Sequence, residues 1–154
     1  MHFMALAVSM TLGISAQAGS IVYSPAFCQI VSSNPDVYWN WSRLFNDSTT
    51  NMLKVYCPAI NDTHTNIESG WVMVLDQNVD DNIQCRLITN YQVDNGGADH
   101  YATSYEYSSG YSSYWQRLDF GALTNDDTTT IHYECWIPLK DIGRSGIGSY
   151  EVSQ

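Results

Sequence analysis

The chain has 154 residues, 44% hydrophobic and 13% aromatic, with sixteen acidic against six basic side chains for a net charge of −10. That length suits one domain with its own core. The aromatic and β-branched content excludes disorder, and the acidic field argues against duplex nucleic acid and anionic membranes as partners.

At the start of the chain, an apolar stretch from Phe3 to Ile14 is followed by Ala16, Gln17 and Ala18, the small-residue pattern of a signal-peptidase site. Residues 1–18 are therefore expected to be a signal peptide and 19–154 a single domain, secreted or periplasmic. The usual positive segment is missing, since only His2 precedes the apolar run. The run falls short of the about 20 apolar residues a spanning helix needs, and no later segment reaches that length, so no transmembrane segment is expected.

Strand signals follow in order: SIVYSP, DVYWNW, NMLKVYC and GWVMVLDQ, separated by polar turn clusters such as NDSTTN and NDTHTN. The clearest strand is IQCRLITNYQV, which sets Ile83, Cys85, Leu87, Thr89, Tyr91 and Val93 on one face and Gln84, Arg86, Asn90 and Gln92 on the other. A tract on either side of Gly110 comes next. TTIHYECWIP then points Ile131, Tyr133, Cys135 and Ile137 inward and Thr130, His132, Glu134 and Trp136 outward, before Pro138 ends the ladder. GSYEVS closes the chain. No helical period appears after residue 18, so the expected fold is all-β: an antiparallel β-sandwich of about eight strands, with a small β-barrel as the alternative.

Cys28, Cys57, Cys85 and Cys135 are widely spaced with no C-x-x-C pair, which argues against zinc and against a redox motif. In an oxidising compartment they form two disulfides. Of three connectivities, Cys28 with Cys57 and Cys85 with Cys135 is favoured, because the second pair sits at matching inward positions of the two best strands. The bridges are expected to clamp the two facing layers together.

Several stretches carry a resemblance: VYSPAFCQ, LFNDSTTNMLKVYCP, WVMVLDQNVDDNIQCRL, LDFGAL, HYECWIP and GIGSYEVSQ. Together they resemble an uncharacterised family of small secreted bacterial β-sandwich proteins with four cysteines. The resemblance implies export, two bridges and a sandwich, and it transfers no activity, cofactor or site residue.

Candidate chemistry centres on HYATSYEYSSGYSSYW, residues 100–115. Tyr101, Tyr105 and Tyr107 share one face of an extended strand, whereas Tyr111, Tyr114 and Trp115 cannot all share a face, so some rings should be exposed. Exposed rings stack on sugar faces, and Tyr105, Tyr107, Tyr111, Trp115 and the outward Trp136 are the candidate binding residues. The competing reading is strand packing through β-propensity and cross-strand pairs. In DQNVDDN, Asp76, Asn78, Asp80 and Asn82 alternate as in a calcium loop, with Asp126 and Asp127 as further carboxylates. Asp81 and Leu87 stand where an EF-hand needs glycine and glutamate, which favours a solvated turn and no cofactor. His132 and Glu134 share a strand face suited to acid–base work, but His64 and His100 lie in separate loops and no residue pattern completes a catalytic set. Sequons begin at Asn40, Asn46 and Asn61, and are incidental in a bacterial protein.

The sequence thus points to a secreted, non-enzymatic protein that binds a glycan or cell-envelope component or is structural. The alternatives are a small secreted hydrolase using His132 and Glu134, and a self-assembling subunit pairing through SIVYSPAF, where Pro25 limits the ladder.

Overall fold

The computed structural model describes residues 19–33, 35–60, 66–92, 98–123 and 130–154. The expected leader 1–18, Asn61, His64, Val93, Asp126 and Asp127 lie outside the described residues. Among the described residues, twelve strands form two antiparallel sheets. In the first, β10 (Gln116–Phe120), β6 (Ser69–Leu75), β12 (Gly146–Ser153), β4 (Arg43–Asn46) and β3 (Val37–Asn40) lie side by side, and β1 (Ser20–Tyr23) pairs with the far half of β12. In the second, the order is β2 (Gln29–Ile30), β5 (Leu53–Ala59), β11 (Thr130–Ile137), β7 (Gln84–Gln92) and β8 (Ala98–Ala102), with β9 (Glu106–Tyr107) on the other half of β7. The sheets face each other without closing into a barrel, so the sandwich stands. There are more strands than the eight or so expected because the edges are broken. One side of β12 is shared by β4 and β1, and one side of β7 by β8 and β9.

Among the described side chains, the inward sets of the two best strands are as read from sequence, although Ile88 and Glu134 at positions of the opposite face are buried too. Ile83, Cys85, Leu87 and Thr89 are buried, as are Ile131, Tyr133, Cys135 and Ile137. They meet Val72 and Val74 of β6, Leu118 and Phe120 of β10, and Ile147, Tyr150 and Val152 of β12 across the core. A bulge between Ile147 and Ser149 shifts the register of β12, which keeps Tyr150 inward after Ile147. Among the described residues, no helix is long and apolar enough to cross a membrane.

Both expected bridges are present, Cys28–Cys57 and Cys85–Cys135. Their position corrects one expectation. Cys85 and Cys135 are direct partners in the β7–β11 register, and Cys28 immediately precedes β2, which pairs with the strand that carries Cys57. Both bridges therefore cross-link neighbouring strands of the second sheet, and neither joins the two layers. Facing strands of one sheet bring Cα atoms to 4.0 and 4.2 Å here, whereas packed sheets stand about 10 Å apart, beyond disulfide reach.

Hydrogen bonds between the layers do what sulfur does not. Tyr133 of β11 donates to the Glu151 carbonyl in β12 at 2.6 Å, and Tyr150 of β12 donates to the Pro58 carbonyl in β5 at 2.7 Å. Asn46 of β4 donates to the Ile137 and Pro138 carbonyls at the end of β11. At the same end of the sandwich, buried Asp76 after β6 accepts from Ser145 Oγ and the Asn78 amide on one oxygen, and from Ser108 Oγ and the Ile83 amide on the other. These groups belong to segments feeding both sheets.

Candidate site on the solvent face of the second sheet

The outward residues of β5, β11 and β7 line up by register. Glu134 lies between Tyr56 and Arg86, Trp136 between Lys54 and Gln84, and His132 between Pro58 and Ile88. Tyr107 of β9 lies beside Gln84. The central residue is Glu134, only 3% exposed although its strand position faces outward. Its carboxylate accepts from Arg86 Nε at 3.0 Å, Lys54 Nζ at 2.9 Å and the Tyr105 hydroxyl at 2.6 Å. Burial alone would raise its pKa. Hydrogen bonds from Tyr105 and Lys54, with the Arg86 charge, outweigh that and bring it from 4.5 to about 2.

The donors are themselves seated on rings. Lys54 Nζ lies 4.7 Å from the Trp136 ring centre and 5.2 Å from that of Tyr56, and the Arg86 guanidinium lies 4.8 Å from that of Tyr105. Burial works to lower the Lys54 ammonium, but the Glu134 carboxylate beside it prevails and raises it. Burial, and then Glu134, push the Tyr105 hydroxyl up. The result is an ordered layer of cations and rings on a buried anion. Tyr107, 56% exposed, leans against Tyr105 with ring centres 6.5 Å apart. Beside them a shallow depression of about 290 Å³ is lined by Gln29, Tyr56, Pro58, Asn90, Thr130 and His132.

The sequence-derived site residues therefore divide. Tyr105, Tyr107 and Trp136 come together on this face. Tyr111 lies half-exposed in the loop between β9 and β10, where Gly110 takes φ +87°, a conformation that suits glycine. Trp115 belongs to the other layer. It lies beneath the Arg43 guanidinium at 5.1 Å, tilts against Phe45, and sits so close to the β12 bulge that a Cβ on Gly148 would come within 2.7 Å of its ring. The tract splits because β9 pairs with β7 while β10 pairs with β6.

His132 and Glu134 do share a face. The His132 ring tilts on Tyr56 at 5.1 Å and burial lowers its pKa, leaving it neutral at pH 7, and all the Glu134 contacts above are to donors. A carboxylate at about 2 holds no proton at neutral pH, which suits an anchor better than a general acid. In the β6–β7 turn, Asp76 is buried among four donors, and the Asn78 side-chain oxygen accepts from the Asp80 and Asp81 amides. Asp80 is exposed. The sequon residue Asn46 is buried with its amide nitrogen committed to three carbonyls.

Lys54, Tyr56 and Arg86 were not singled out as site residues from sequence. Their signal was outward placement on strands, and only the register shows that they converge on Glu134.

A second polar notch, of about 370 Å³, opens at the edge of the first sheet beside Tyr38, Asn40, Gln77, Lys140 and Arg144. There Arg144 and Lys140 both bind Asp47, and these bonds bring its carboxyl down to about 2. The Arg144 guanidinium lies 4.2 Å from the Tyr38 ring centre. Counting both faces, five of the six basic residues lie over an aromatic ring, Lys140 being the exception.

No family model and no curated protein matches the chain. Among solved structures, that of the infectious bursal disease virus Gx strain is similar with a TM-score of 0.45 and 15% identity, over 97% of this chain and 36% of that one. The chain thus spans about a third of the length of the structure it matches, and the likeness carries no functional conclusion.

Proposed function

We propose that this protein is an exported, non-enzymatic binding module of bacterial origin that takes a glycan of the cell envelope on the solvent face of its second sheet. The observation behind the reading is the buried Glu134 with Lys54, Arg86 and Tyr105 fixed on it. A solvent-facing strand position does not require a buried carboxylate, and this one holds three donors and the rings beneath them in set positions. Pre-ordered rings and donors lower the entropy lost when a weakly held, hydroxyl-rich ligand binds. Tyr107 offers the exposed ring for a sugar face, and Gln84, Lys54 and Arg86 offer donors to its hydroxyls. The two bridges accord with an oxidising compartment.

A glycan array followed by titration of intrinsic tryptophan fluorescence tests the reading. Tyr107→Ala should weaken binding about tenfold with the melting temperature unchanged, since the ring stands outside the Glu134 network. Wild-type protein that binds no saccharide, or a Tyr107→Ala variant that binds as wild type, removes this reading.

A further inference from the structure

The backbone departs most from expectation at a position outside that face. β3 and β4 are joined by the two-residue turn Trp41–Ser42, with Asn40 opposite Arg43. Trp41 has φ +60° and is the only described non-glycine residue with positive φ. Its side chain is 97% exposed. A left-handed conformation is unfavourable for a bulky side chain and free for glycine, so folding alone would select glycine here. An indole held in strain and fully in water serves something outside the chain.

We propose that the Trp41 turn is a membrane-contact element that seats its indole in the headgroup region of a bilayer carrying no net charge. The turn closes the β3–β4 hairpin at the edge of the first sheet. Beside it, Ser24 Oγ donates to the Ser42 carbonyl at 3.2 Å and caps the short 3₁₀ helix Pro25–Phe27, whose Phe27 is 65% exposed. Two such rings bury roughly 150–250 Å² each, short of the about 800 Å² per partner of a stable protein interface. A bilayer interface accepts isolated tryptophan and phenylalanine rings without a shaped partner. The charge of −10 selects against anionic lipid. The neighbouring Arg43 lies over Trp115 and is not free to offset it. This element is separate from the Glu134 face and stands or falls independently of glycan binding.

Flotation of the full chain with phosphatidylcholine vesicles, and with vesicles that also contain phosphatidylglycerol, provides the test. The wild type should float with the first and less with the second. Trp41→Gly should lower partition about thirtyfold while raising the melting temperature by about 3 °C through released strain. Tyr107→Ala should float as wild type. Three results would overturn the proposal: wild-type protein that stays with the aqueous phase, a Trp41→Gly variant that floats undiminished or melts lower, or a lipid-free dimer that Trp41→Gly dissolves, which would assign the ring to self-association.

Discussion

Glu134 illustrates how one side chain is governed by neighbours distant in sequence. Its strand position faces solvent, yet Lys54, Arg86 and Tyr105 from three other segments close over it. The pH dependence follows from its depressed pKa. Between the ordinary value of 4.5 and the folded value of about 2, an unfolded chain takes up a proton that the folded chain refuses. The stability contributed by Glu134 is therefore complete above about pH 5 and lost as pH falls toward 2. Asp47, brought from 3.8 to about 2, acts with the same sign over the same acid range. Neutral His132, whose pKa burial lowers, adds a loss that begins as pH falls through 6.5. Glu134→Gln should flatten, without abolishing, the acid limb of a urea-denaturation series. It should also cost about 2 kcal/mol at pH 7, because Lys54 and Arg86 lose their counter-charge. An unchanged acid limb would contradict the network.

At the level of elements, the two layers depend on close fits at single positions. Tyr133 reaches across to β12 only because Gly70 of β6 has no side chain. A Cβ there would overlap the Tyr133 hydroxyl and stand 2.9 Å from the Glu151 carbonyl. Gly70→Ala should therefore destabilise by about 3 kcal/mol or more through overpacking and a lost buried hydrogen bond. Thermal melting and urea midpoints would report it, and a loss under about 1 kcal/mol would mean that β6 and β11 approach less closely. The elements also show where sequence reading reached its limit. β7 and β11 were legible with their inward sets because one face is apolar and the other polar. β2 and β9, two residues each, carry no period of their own and exist through pairing with β5 and β7. The candidate rings of the aromatic tract were grouped together because the break at Gly110 shows only that the strand period is lost, and not that the chain there crosses from the second sheet to the first.

For the whole molecule, the covalent links reinforce one layer while packing and hydrogen bonds hold the two layers together. Replacing Cys85 and Cys135 together by alanine should cost about 4 kcal/mol in the chain-entropy account of a loop of this length. The melt should stay a single cooperative transition, because no bridge supports the sheet–sheet contact. Peptide mapping without reduction should recover Cys28 with Cys57 and Cys85 with Cys135. A Cys28–Cys85 peptide would refute the register of β5, β11 and β7.

The sequence alone determined the class of fold, the inward positions of the long strands and the exposure of some of the tyrosines, and it favoured one of three cysteine pairings. Each follows from local chemistry, whether period-two alternation, residue type or matching inward positions on two strands. Which sheet holds the bridges, why Glu134 is buried, where Trp115 lies and how Trp41 is held at its turn were decided only by tertiary structure. Those features depend on register and on neighbours tens of residues away, and no local window of the chain contains them.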